Sequence, residues 1–259
     1  MSKLRLMDLG KSYEGPAGEK RHVIQGLSWE FPAAGITTIV GPNGCGKSTL
    51  LGVISGMIDA DRGTVSLDNV SSREPRFAFV WQNYRASLLP WLTAVENVEF
   101  PLRIRGVAPA ARRPEALRLL DHFGPTIQPN ARVYSLSGGQ QQLLCFLRGL
   151  ITEPDCLLMD EPFSALDQQT RWALIFQLEE IWLRRRIPTI LVSHDVDEAV
   201  VLGDEILLMS AQPPHISAKL TNPLPRPRSV NTLSEPEHLR LRAKLIEFLF
   251  SSPAGQPKV

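Results

Sequence analysis

Apolar residues recur along this chain in two rhythms, and the switch between them lays out the fold. Ile36-Thr37-Thr38-Ile39-Val40, Phe77-Ala78-Phe79-Val80, Cys156-Leu157-Leu158-Met159 and Thr189-Ile190-Leu191-Val192 are short, dense runs of the kind that form strands, the last two resembling parallel strands buried on both faces. Gly63–Leu67 reads as a further strand. Leu4, Leu6 and Leu9 alternate in part before Gly10. With a turn over Gly15–Gly18 and a second strand around His22–Ile24, they predict an N-terminal β-hairpin region with Tyr13 at its tip. Helical spacing takes over at Leu50, Leu51, Val53 and Ile54, and again across Ala94–Leu102, Ala110–Phe123 and Gly138–Ile151. Leu174, Leu178, Ile181 and Trp182 mark one face of another helix.

Strands alternating with helices predict an α/β fold with an antiparallel region at the N-terminus and a helical subdomain inserted at about residues 90–150. The main domain is expected to span residues 1–215. Beyond Met209, prolines at 213, 214, 223, 225 and 227 predict an irregular connector. A C-terminal helix follows within 216–259, opened by a Ser234/Glu237 capping box and packed on the core through Leu241, Leu245, Ile246 and Leu249.

The first chemistry lies between a strand and a helix. Gly41-Pro42-Asn43-Gly44-Cys45-Gly46-Lys47-Ser48-Thr49 is a G-x-x-x-x-G-K-S loop, whose glycines let successive backbone N–H groups turn inward toward a phosphate. Lys47 adds a point charge, Ser48 a hydroxyl for Mg2+, and the following helix its positive N-terminal dipole. Cys45, next to that helix start and close to Lys47, is expected to favour the thiolate. A carboxylate to organise the metal is available where an apolar strand ends, at Asp160. Glu161 beside it, turned the other way by strand alternation, is placed to polarise water attacking a γ-phosphate.

Composition narrows the partners. The 259 residues are 43% hydrophobic and 21% charged, ordinary for a protein with a full core, and a formal net charge of +1 gives no bulk reason to expect nucleic acid. No apolar run approaches a membrane span and Met1–Asp8 lacks an apolar signal core, so the chain is expected to stay in the cytoplasm. The three cysteines, Cys45, Cys145 and Cys156, are expected to form no disulfide.

Leu136-Ser137-Gly138-Gly139-Gln140, twenty residues before Asp160, resembles the signature motif of ATP-binding cassette ATPases. Ser137 and the backbone of Gly138 and Gly139 form a second helix-start anion site, for which one chain with one nucleotide has no use. The resemblance implies that two cassettes pair head to tail, with two ATP molecules between Lys47 of one and Ser137 of the other. Tyr13 then matches the aromatic that stacks on adenine, Gln82 the Q-loop glutamine near the metal, Ser164-Ala165-Leu166-Asp167 the D-loop, and His194 the switch histidine. Singly, these residues read more readily as a strand-edge tyrosine, a surface amide, a helix N-cap and a loop histidine; their order around the two strong motifs carries the match. Gln141-Gln142-Leu143 and Gly35-Ile36 depart from the family's usual residues, at positions away from the phosphates.

Layout selects among members of the family. Ninety positions separate Lys47 from Ser137, too few for an intervening coiled coil, and there is one cassette and no membrane helix. The resemblance therefore implies a peripheral ATPase subunit on the cytoplasmic face of the membrane, powering a separate permease that works with an extracytoplasmic solute-binding protein. Leu88–Val98, with Phe100-Pro101-Leu102 and Arg105-Gly106, is similar to cassettes of nitrate, sulfonate and taurine importers. A cassette for export or lipid extraction, and an ATP-dependent switch without a membrane partner, are the alternatives.

Overall fold

The computed structural model describes residues 3–15, 18–68, 75–211 and 214–251. In chain order the elements are β1 (Leu4–Glu14), β2 (Lys20–Glu30), β3 (Ile36–Val40), α1 (Lys47–Ile54), β4 (Arg62–Leu67), β5 (Phe77–Val80), α2 (Tyr84–Ser87), α3 (Ala94–Ile104) and α4 (Pro109–Phe123). There follow α5 (Gly138–Leu150), β6 (Cys156–Asp160), α6 (Gln168–Arg185), β7 (Thr189–Val192), α7 (Val196–Leu202), β8 (Glu205–Ala211), β9 (Pro214–Thr221) and α8 (Pro236–Ser251). They divide into two compact units, one made of Met1–Pro75 with Arg186–Val259 and the other of Arg76–Arg185.

The first unit holds two sheets. One is antiparallel, in the order β2-β1-β4, and contains the expected hairpin; Pro16 and Ala17 of its turn lie outside the described residues. In the other, β3 lies parallel to both β7 and β8, and β8 pairs antiparallel with β9, which makes it mixed. Every residue of β3 is buried, as befits a strand flanked on both sides. Thr38 is accommodated there by hydrogen bonding: its Oγ1 donates to the carbonyls of Ala199 and Glu205 at 3.2 and 3.4 Å.

The expected connector after Met209 is instead β8 running to Ala211 and then the strand β9; Gln212 and Pro213 lie outside the described residues. Proline tolerates this because Pro214 opens β9, where its missing N–H disrupts nothing, and the rest of the strand alternates half-buried with exposed positions. Irregular backbone begins only after Thr221, and it is pinned. Arg228, 3% exposed, donates to the carbonyls of Gly203 (2.7 Å) and Leu224 (2.9 Å), and Arg226 bonds Asp204 at 2.9 Å. The Ser234/Glu237 capping box does not form: Ser234 sits in a 3-10 turn with its hydroxyl on the Asn231 carbonyl, and α8 starts with Pro236, a residue whose fixed φ suits a first helical position.

The second unit carries the parallel pair β5–β6 and the helices α2 to α6. The three helices expected between residues 90 and 150 are present as α3, α4 and α5. Leu174, Leu178, Ile181 and Trp182 of α6 are all buried, as their spacing requires. Among the described residues no helix is long and apolar enough to cross a membrane.

Candidate functional site

In the first unit the phosphate loop leaves β3 at its carboxyl end. The approach of β8 fixes Gly41: a Cβ there would meet the Met209 carbonyl oxygen at 2.3 Å. Gly46, at φ 103°, occupies the left-handed region and lies so close to Val23 that a Cβ would stand 2.8 Å from both its carbonyl oxygen and its Cγ1. The helix α1 then starts at Lys47, with Asn43, Gly44 and Ser48 exposed, Pro42 and Thr49 half-buried.

Lys47 is the anomaly of this loop. Its side chain is 6% exposed, and its ammonium donates to the carbonyls of Gly41 (2.9 Å) and Pro42 (3.1 Å). Within the first unit no described carboxylate pairs with it. A buried cation held only by neutral carbonyls calls for an anion from outside.

Two more predicted residues belong to this unit. Tyr13, 43% exposed, pairs across the hairpin with Arg21, and the Lys11 ammonium stands 5.6 Å from its ring centroid. Arg21, which sequence reasoning missed, brings its Nη2 within 3.7 Å of where a Gly44 Cβ would be, so the hairpin overhangs the loop. His194 is exposed on the turn after β7, the strand beside β3. Ser193 N–H donates to the Ile39 carbonyl at 3.2 Å, which puts this turn and the phosphate loop at the same carboxyl edge of the sheet, where α/β folds bind ligands.

In the second unit Gln82 and Asp160 line one cavity of about 470 Å3, together with Trp81, Asn83, Ala86 and Ser87. Gln82 Nε2 donates to Glu161 Oε2 at 3.3 Å. Glu161 has φ 44°, so a left-handed turn after β6, and not strand alternation, sets its direction. Carboxylate and amide oxygens are the hard donors that Mg2+ takes, and Asp160 and Gln82 on one cavity fit that ion. Ser137 caps α5: its Oγ accepts from Gln140 N–H (3.3 Å) while Gln140 Oε1 accepts from Ser137 N–H (3.0 Å), leaving the N–H groups of Gly138 and Gly139 at the helix start. Asp167 accepts from Thr170 N–H at 3.0 Å at the start of α6, and that bond holds its carboxyl below the usual carboxylate range.

The expected thiolate at Cys45 is not found. The side chain is fully buried, and burial raises the thiol's pKa against the opposing pull of Lys47. Its sulfur lies 3.0 Å from where a Gly41 Cβ would stand, beneath the loop. Cys145 and Cys156 are also buried and unbridged, burial pushing the Cys145 thiol up to about 11 and Cys156 higher.

Known proteins resemble this chain in sequence and fold. The chain is 38% identical over 229 residues to an aliphatic sulfonates import ATP-binding protein, SsuB 2, of Burkholderia cenocepacia (strain HI2424), covering 88% of this chain and 82% of that one. It is 36% identical to the taurine import ATP-binding protein TauB of Pseudomonas aeruginosa (strain UCBPP-PA14), covering 96% and 97%. The dimeric post-hydrolysis structure of the ATP-binding cassette MJ0796 bound to ADP and Pi superposes with a TM-score of 0.71 at 26% identity, over 84% of this chain and 98% of that one. The family described as ABC transporter matches residues 24–164, and with the loop, the capped signature helix and the paired acids in place, the chain belongs to that family of ATP-binding cassettes.

Proposed function

We propose that this chain is the ATP-hydrolysing subunit of an importer, and that the solute is a small sulfonate of the kind named for its relatives SsuB 2 and TauB. The observation that carries the ATPase reading is Lys47, a buried ammonium resting on loop carbonyls, which a phosphate would draw away. Tyr13 stacks on the base, and the backbone of Gly41–Thr49 with Lys47 holds the phosphates. Mg2+, held by Ser48, Gln82 and, through water, Asp160, would offset phosphate charge as it builds up. Glu161 orients and accepts a proton from the attacking water, His194 contacts the γ-phosphate, and Gln82 bonded to Glu161 reports metal occupancy to it. Ser137–Gln140 and Asp167 complete the nucleotide site of a second cassette.

The permease is proposed to dock on the segment around Leu88–Val98. Leu88, Ala94, Val95 and Val98 belong to the core, while Trp91 is 68% and Trp81 45% exposed and remain for a partner. The subunit then sits peripherally at the cytoplasmic face, and an extracytoplasmic binding protein delivers the solute. Affinity purification from detergent-solubilised membranes, followed by identification of what comes along, tests this: a polytopic permease is expected, and a soluble partner set without one would overturn it. Loss of growth on taurine or an alkanesulfonate as sole sulfur source, restored by the wild-type gene and not by Lys47→Ala, tests the solute.

A further inference from the structure

The C-terminal helix α8 touches the two parts of the first unit on which hydrolysis depends. Leu241 and Leu245 are buried in one cluster with Val40, the residue before Gly41, with Leu208, and with Ala199 and Val200 of α7. On the same helix His238, 1% exposed, places Nε2 2.9 Å from Asp197 Oδ1, and Arg242 Nε lies 3.1 Å from that oxygen. Asp197 is in the first turn of α7, three residues after His194.

The turn that carries His194 is bonded to β3 through Ser193 N–H and the Ile39 carbonyl, and to α7 through its own side chains. Asp195 Oδ1 accepts from the N–H groups of Asp197 (2.9 Å) and Glu198 (3.2 Å); Ser193 Oγ donates to Glu198 Oε2 (2.6 Å) and accepts from Asp195 N–H (3.0 Å). Three of these bonds end on Asp197 or Glu198 in the first turn of α7, so the angle of that turn contributes to where His194 stands. His238 Nδ1 is buried without a partner, a cost that an apolar anchor of the same size would avoid. A histidine in this place is therefore explained by the bond it gives Asp197, not by packing.

We propose that His238 and Arg242, acting through Asp197, are positioning residues for His194, which makes the C-terminal helix part of the hydrolytic machinery. This rests on the reading of His194 as the residue that contacts the γ-phosphate, and the test separates the two.

Steady-state ATPase and binding of a fluorescent ATP analogue are measured on the full chain carrying His238→Leu, His238→Gln, Arg242→Ala or His194→Ala. His238→Leu and Arg242→Ala are each expected to lower kcat about five- to tenfold with nucleotide affinity unchanged, and His238→Gln, which retains an N–H donor, to recover most of it. Added to His194→Ala, His238→Leu should cost little more, because both act on one group. Wild-type kcat in both His238→Leu and Arg242→Ala, while His194→Ala is inactive, overturns the proposal. So does a parallel fall in affinity and melting temperature, the sign of an anchor only. His194→Ala turning over like wild type overturns the underlying reading instead. Should His238→Leu fail to fold, Arg242→Ala decides, since that side chain is 45% exposed.

Discussion

Lys47 shows how one residue joins sequence to chemistry. Truncating its side chain to a methyl group removes the charge proposed to lie against the transferred phosphate, and Lys47→Ala is expected to lower ATP turnover about 100- to 1,000-fold and to weaken binding. The motif suggested this role, yet not the contacts with the Gly41 and Pro42 carbonyls, because no spacing rule describes where an ammonium rests. Cys45 is the opposite case. A helix start and a nearby lysine argued for thiolate, but desolvation at a fully buried sulfur outweighs both, and that burial cannot be read from the loop's own residues. N-ethylmaleimide should therefore label the native protein slowly and all three thiols once it is denatured, and Cys45→Ala should keep most activity. Reaction of Cys45 in the native chain within seconds would contradict this.

At the level of elements, the apolar pattern located β3 to β7 and the helices α3 to α6, because those segments bury one or two faces, and it missed α7 and β8. It failed where partners outside the segment decide. β9 is a strand because β8 offers it an edge, and Ser234 gives no cap because the 3-10 turn claims its hydroxyl. Asn97 of α3 carried no sequence signal at all. Fully buried, it accepts from Leu89 N–H (2.9 Å) and donates to the carbonyls of Leu89 (3.1 Å) and Thr93 (3.0 Å), fastening the segment proposed to meet the permease. Asn97→Leu should cost about 1–3 kcal/mol in denaturant unfolding by orphaning those groups. The antiparallel sheet has its own signature: Asp61, bonded by Ser12 and Lys11, and Glu30, bonded by Lys3 and Arg5, have carboxyls held down to about 2. Because the folded pKa values are depressed, their contribution is complete above the ordinary carboxylate range and is lost as pH falls from about 4 toward 2. Melting temperature should drop across that window, less so in Asp61→Asn and at high salt.

For the whole molecule the account is of a cassette that completes its nucleotide sites by pairing. Glu161→Gln keeps the size and hydrogen bonding of the side chain and loses the base, so it should bind ATP, hydrolyse it very slowly and accumulate as a dimer with Mg2+ and ATP in gel filtration. Ser137→Arg should block turnover while its own phosphate loop still binds nucleotide. The capped helix start at Ser137 was legible from Leu136–Gln140, and its pairing role came from family resemblance, since a single chain contains only half of such an interface. The measurement that bears most directly on the central claim is phosphate release from ATP by the purified, Mg2+-supplemented chain beside Lys47→Ala and Glu161→Gln. The account predicts release by wild type, none above background from Lys47→Ala, and retained, unhydrolysed ATP on Glu161→Gln; release from Lys47→Ala at the wild-type rate would contradict it.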